Sequence, residues 1–143
     1  VINCTGLGSG PLLGDRELFG VRGQILVVDA PQVSTFLFDE STVTYIVPRL
    51  HDVVLGGTAE EHVYETTVSA ESSASIRKLC TRFVPGLEHA PTRGERVGVR
   101  PCRSAVRLEA QTMHGSRIIH NYGHGGAGVT LSWGCADEVV RLV

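Results

Sequence analysis

The chain lacks an excess of charge of either sign: thirteen Lys and Arg stand against fifteen Asp and Glu, a formal net charge of −2 over 143 residues. That balance removes the general attraction by which nucleic acid or an acidic membrane surface would be held. Long apolar runs are missing too, since nothing approaches the roughly 20 residues of a membrane-spanning helix. Cysteine is sparse, at positions 4, 80, 102 and 135 without a CxxC pair. This is neither zinc-site spacing nor the density of a disulfide scaffold, and it points to a reducing compartment. Neither nucleic acid nor membrane is an expected partner.

What remains is a globular composition, 42% hydrophobic and 20% charged, in a length sufficient for one ordinary core. Residues 1–6 read as a buried strand running into Gly6, and "ADEVVRLV" closes the chain as a helix without a stop signal. Both ends are expected to continue into something longer. "VRGQILVVDA" (21–30) is strand-like and ends at Pro31, while "FLF" (36–38) and "VTYIVP" (43–48) flank an acidic turn as a hairpin. "DVVLGGT" (52–58) is a further strand ending in a glycine pair. Over 69–87, Ile76, Leu79, Cys80 and Phe83 recur at helical spacing, with Ser69, Ser72 and Ser73 as candidate caps and Pro85-Gly86 as the stop. "ERVGVRP" (95–101), "SAVRLEA" (104–110) and "RIIHNY" (117–122) read as three more strands.

Two patterns suggest a phosphate site and fail. In "VINCTGLGSG", Gly6 and Gly8 begin a GxGxxG spacing whose third glycine is replaced by Pro11, and "LLGDRELFG" is too short and broken for the helix that would receive a pyrophosphate. A strand-end loop passing close to a ligand fits better. Arg93, Arg96, Arg100, Arg103 and Arg107 would stack on one helical face, but Gly94, Gly98 and Pro101 interrupt that helix at a cost of about 3 kcal/mol for the proline and about 1 for each glycine. Extended structure places Val97 and Val99 on one face, and Arg96, Gly98 and Arg100 on the other. On such a face an arginine is either a solvated sheet residue or a planar fork gripping a carboxylate in a cleft.

His120 and His124 are four apart, yet the glycines around them argue against a helical metal pair, and no metal is expected. Tyr45 taken alone reads as a half-buried strand aromatic. The stretch "HNYGHGGAGVTLSWG" (120–134) carries four glycines between positions 123 and 128, just before a helix expected to start near Val129 or Thr130. A tight strand-to-helix turn needs one glycine. Four allow a flat ligand with electron-rich oxygens to lie against backbone N–H groups at a helix start.

"GVRP", the "RLE" of 107–109 and "HNYGHGGAGVTLSWGCA" resemble the C-terminal half of the FAD-dependent D-amino acid oxidases. "VINCTG", "VRGQI", "YIVP" and "VVLGGT" are similar to that family in the same order. The resemblance implies an α+β fold: a mixed or antiparallel substrate-binding sheet (21–113), joined to part of a Rossmann-like FAD-binding domain (1–20) and its C-terminal strand, loop and helix (114–143). It implies oxidation of a D-amino acid by hydride transfer from Cα to FAD, with dioxygen reoxidising the flavin. By position, Arg100 matches the residue that grips the substrate carboxylate, Tyr45 the tyrosine that assists it, and Gly126 the carbonyl that accepts the amine. Thr5, Gly6, Gly98 and the loop His124, Gly125, Gly126, Ala127, Gly128, Val129 and Thr130 match flavin contacts.

Departures narrow the expectation. A second active-site tyrosine of many members is Ser41 here, and Ala127 stands where several carry tyrosine. Phe38 and Ala59 replace the arginines by which D-aspartate oxidases hold a side-chain carboxylate, so a neutral or apolar D-amino acid is expected. The family's N-terminal FAD-binding half is absent from the sequence and is the expected partner, in the same polypeptide or a second chain; a homodimer stays open. The expected compartment is the cytoplasm, or the peroxisome in a eukaryote. Two alternatives stay open: a glycine- or sarcosine-type amine oxidase, and a non-catalytic fragment keeping only a carboxylate site.

Overall fold

The computed structural model describes all residues, Val1–Val143. In chain order the elements are β1 (Ile2–Asn3), a 3-10 turn (Gly6–Gly8), α1 (Ser9–Leu13), β2 (Phe19–Val28), β3 (Leu37–Asp39), β4 (Thr44–Pro48), β5 (Val53–Gly56) and β6 (Glu60–Glu61). Then follow α2 (Ala70–Phe83), β7 (Thr92–Met113), β8 (Ser116–His124), a second such turn (Gly125–Ala127) and α3 (Gly128–Leu142). The mixed sheet with helices agrees with the α+β expectation. The chain divides into two compact units, Val1–Val21 with Arg100–Val143, and Arg22–Val99.

In the second unit, β2, β5, β4 and β3 lie side by side, antiparallel at each step. Strand periodicity turns Leu26 and Val28, Ile46, and Val53 and Leu55 into one core with Ile76 and Cys80 of α2. The α2 helix starts where the serines predict: Ser69 Oγ accepts from the Ser72 N–H at 3.1 Å, with Glu71 in the first turn and Arg82 in the last. It stops because Val84, preceding Pro85, is extended. The expected helical face was too wide, however. Ile76 and Cys80 are buried, Leu79 only partly, and Phe83 is 43% exposed in the last turn.

A buried cation organises the connection from β5 to α2. Arg22 donates through Nη1 to both Glu60 oxygens at 3.0 Å, through Nε to the Glu65 carbonyl, and through Nη2 to Gln24 Oε1 and the Thr67 carbonyl. Gln24, also buried, donates to the Ser69 carbonyl and Ser73 Oγ. Every donor of the guanidinium fork is engaged around β2, which is what permits its burial.

In the first unit, β1 runs parallel to β8 (Ile2 opposite Ile119, Asn3 opposite His120), and β8 runs antiparallel to β7. The expected pair of strands at 95–101 and 104–110 is one strand of 22 residues. Its break is a bulge: Cys102 faces His124 but Arg107 faces Tyr122, so β7 carries three more residues than β8 over this span. Pro101 sits beside the bulge, where a missing N–H is tolerated. The segment 9–13 forms a short helix, closed by Gly14 at φ 66°.

The helical core contact should dominate over the cap. Ile76→Ala should lower unfolding free energy by about 2–5 kcal/mol, and Ser69→Ala by about 1 kcal/mol. Urea unfolding of the two variants checks the order; equal losses would contradict the placement of Ile76.

Candidate functional site

The glycine loop follows from local geometry. Gly123 has φ +88° and Gly125 φ +56°, and a Cβ would meet the Arg103 side chain at 3.0 Å in one case and Cys102 Sγ at 2.9 Å in the other. Both positions need glycine for dihedral and for space. The residues after them, Gly126 and Ala127, are exposed. The α3 helix starts at Gly128, one or two residues before the expected start, and its N-cap Ala127 has no side chain that can accept a hydrogen bond. The first-turn N–H groups therefore lack a side-chain partner, at an end carrying partial positive charge. His124 Nε2 and Cys135 Sγ, 3.4 Å apart, join the end of β8 to the second turn of α3.

Arg100 lies beside this loop. A Cβ on Gly126 would sit 3.8 Å from Arg100 Cδ and 4.0 Å from Nε. Gly6, at φ +55°, faces Pro101, with its Cβ direction 3.6 Å from the proline ring. Its neighbour Thr5 is held by a closed set of hydrogen bonds. Asn3 Oδ1 accepts from the Thr5 N–H and hydroxyl, Thr5 Oγ1 pairs with Ser9 Oγ, and Asn3 Nδ2 donates to Ser9 Oγ and His120 Nδ1. Since Asn3 donates to Nδ1, the other ring nitrogen of His120 carries the proton and donates to Gln111 Oε1 at 3.1 Å. Burial, and then the nearby Arg107 charge, hold the His120 pKa below its ordinary value, which favours this neutral form. His120 is thus a structural residue of the strand pair.

A second polar cluster braces the same unit. The Asp15 carboxylate, buried, accepts from the Tyr122 hydroxyl at 2.7 Å and lies 3.0 Å from Arg103 Nε and 3.8 Å from Arg107 Nη1. Arg107 also donates to the Tyr122 hydroxyl and to Glu109. Burial works against the Asp15 charge, but the Tyr122 hydroxyl, the Glu17 N–H and the two arginines prevail and hold its pKa below the ordinary carboxylate value.

The other two predicted residues belong to the second unit. Tyr45, half-buried in β4, pairs with Gly56 of β5 on one side and Phe38 of β3 on the other. Gly98 is exposed, with open space where a Cβ would point. The structure thus gathers Arg100, Gly126, Gly6 and Thr5 with the loop 124–130 in the first unit, and keeps Tyr45 and Gly98 in the second. The Asp15 cluster escaped the sequence reading because its members are up to 107 residues apart. The Gly56-Gly57 pair did leave a signal, since glycine at a strand end marks a close approach.

The sequence profile of a family described as "FAD dependent oxidoreductase" matches residues 1–142. The D-amino-acid oxidase of Streptomyces coelicolor is 45% identical over 99% of this chain and 46% of its own length. The D-aspartate oxidase of Homo sapiens is 44% identical over 100% of this chain and 43% of its own. The chain therefore spans less than half of these relatives. Among solved structures, glycine oxidase from Bacillus cereus superposes with a TM-score of 0.88 at 24% identity, covering 99% of this chain and 42% of that one. That likeness concerns the fold.

The depressed Asp15 pKa links stability to pH. Its contribution is full above the ordinary carboxylate pKa of about 4 and is lost as pH falls through the lower folded value. Asp15→Asn should therefore lower Tm at pH 7 and flatten the acid limb of the Tm-against-pH curve below about pH 4. An unchanged acid limb would remove Asp15 from the cluster.

Proposed function

The chain belongs to the FAD-dependent oxidoreductase family, and on that premise we propose that it forms the C-terminal part of a flavoprotein D-amino acid oxidase. Its substrates are neutral or apolar D-amino acids, and its products are 2-oxo acids, ammonia and hydrogen peroxide. The observation that carries this reading is the juxtaposition of Arg100 with Gly126 at the start of an uncapped 15-residue helix.

The loop fits a flavin. Gly123 and Gly125 are glycine because of their positive φ and because the Arg103 and Cys102 side chains crowd their Cβ positions, while Gly126 and Ala127 leave an exposed, nearly bare surface. Thr5, Gly6, Gly98 and residues 124–130 are the residues that would hold the flavin, and the positive end of α3 would favour its reduced, anionic form. FAD, when bound, supplies the acceptor for the hydride from substrate Cα and hands the electrons on to dioxygen. The chain's own residues bind and orient. Arg100 presents its planar fork to the substrate carboxylate, Tyr45 adds a hydroxyl, and the Gly126 carbonyl accepts a hydrogen bond from the amine. A neutral amine needs no protein base as the hydride leaves, so positioning is the main task of these groups. Hydrolysis of the imino acid then yields 2-oxo acid and ammonia.

The proposal includes an N-terminal FAD-binding half. The length of the relatives supports it, as does α3, whose Val129, Trp133 and Val140 are 90%, 84% and 73% exposed. A contiguous apolar face of this kind suits a protein partner.

In the flavoprotein, anaerobic D-alanine should bleach the flavin absorption band. Arg100→Ala should raise KM for D-amino acids by roughly 10- to 100-fold, the scale of hydrogen bonds to a charged group, and Arg100→Lys should recover part of the loss. A KM that stays constant in Arg100→Ala would remove it from the substrate site. Gly126→Val should impair flavin or substrate binding by crowding the loop; normal activity would contradict its placement there.

A further inference from the structure

The glycine pair after β5 is where the geometry is tightest. A Cβ on Gly56 would lie 1.9 Å from Tyr45 Cζ, 2.1 Å from Cε2 and 2.4 Å from the hydroxyl oxygen. A Cβ on Gly57 would lie 2.8 Å from that hydroxyl and 3.0 Å from Cε1. Neither glycine has a positive φ, so space and not dihedral freedom is what each provides. The Tyr45 ring therefore lies across two bare peptide units, occupying the volume a side chain would take. A phenol ring is rigid beyond its two side-chain torsions, so fixing the ring fixes the hydroxyl.

The backbone under this seat is braced from α2. Tyr45 and Gly56 are direct cross-strand partners, and the fully buried Cys80 directs its Sγ at both their carbonyl oxygens, 3.7 Å from Tyr45 O and 3.8 Å from Gly56 O. Burial pushes the Cys80 thiol up to about 11, so it stays protonated and can donate. The ladder continues past the strand through the Gly57 N–H to the Val43 carbonyl at 3.0 Å.

We propose that Gly56 and Gly57 are positioning residues for the substrate carboxylate: they form the seat that holds the Tyr45 hydroxyl, with Cys80 bracing the backbone beneath. This rests on the oxidase reading, in which Tyr45 assists Arg100. In this role the glycines act through the ring, which is the side chain they meet. A side chain at position 56 displaces the ring and carries its hydroxyl away from the carboxylate.

The test is a pair of cycles in the full flavoprotein. Gly56→Ala should raise KM for D-alanine by about tenfold, the loss of one charge-assisted hydrogen bond, with kcat and the flavin spectrum much less affected. In a Tyr45→Phe background, which keeps the ring and removes the hydroxyl, the same substitution should raise KM no further. In a Tyr45→Ala background it should cost no additional Tm, because nothing is left to displace. If Gly56→Ala lowers Tm equally with and without the ring, the seat is overturned. If Tyr45→Phe raises KM and Gly56→Ala does not, the positioning role is overturned. If the Tm coupling holds and Tyr45→Phe leaves KM unchanged, the seat stands and the substrate role of Tyr45 falls. Should Gly56→Ala fail to fold, Gly57→Ala takes its place with the same expectations, since its Cβ meets the ring nearer the hydroxyl end.

Discussion

The geometry around Arg100 depends on one strand pairing, Cys102 opposite His124. It lies beyond the bulge, and the register past it differs by three residues from the register at Arg107 and Tyr122. Two residues before Cys102 on β7, Arg100 lies beside the turn that follows His124, where a Cβ on Gly126 would sit 3.8 Å from its Cδ. Without the bulge, a different residue of β7 would face the glycine loop. The same pairing presses Cys102 Sγ against Gly125, leaving no room for a Cβ there and turning the chain into the 3-10 turn before α3. A single register constraint thus fixes the guanidinium, the loop and the helix start together.

That register is held by polar groups as much as by apolar ones. The Asn3, Thr5, Ser9 and His120 set and the Asp15, Tyr122, Arg103 and Arg107 cluster both tie residues 3–15 to β7 and β8. Each contains groups that would be costly to bury alone and are tolerable because nearly all are paired. In the second unit Arg22 performs the equivalent task for the connection between β5 and α2. Apolar packing determines that the layers form. The directional bonds determine where their ends lie.

Local signals were legible in the sequence wherever the cause was local. The Ser69 cap, the halt at Pro85, the β3–β4 hairpin and the glycine loop before α3 all have near-neighbour reasons. The single strand β7 was not legible, because Pro101 inside a strand ordinarily argues for a break and only the facing strand reveals a bulge. Phe83 has the right spacing for a core position, yet it falls in the last helical turn, where the packing partners have ended. For the site, the family motif supplied the roles of Arg100, Gly126 and Tyr45, while residue chemistry alone left Tyr45 an ordinary strand aromatic and Cys80 one position on the apolar face of α2. The significance of Cys80 lies in the two carbonyls it meets across 24 and 35 residues of sequence, which no spacing rule contains.

The buried ionisable groups brace the fold. His120 has both ring nitrogens occupied and is held neutral, Asp15 is held ionised among cations, and Cys80 remains a protonated thiol. None of the three is poised near neutrality to exchange a proton, as a general acid or base would be. What the fold offers instead is an arginine beside a glycine loop, a helix end without a side-chain cap, and a phenol seated on bare backbone. On the proposed oxidase reading, an arginine and a helix start are devices for holding a carboxylate and a flat ring, and hydride transfer from a correctly oriented Cα asks for little else. The glycines at 56, 123 and 125 share one local cause: a neighbouring side chain packs directly on the backbone, and a Cβ would stand in the way.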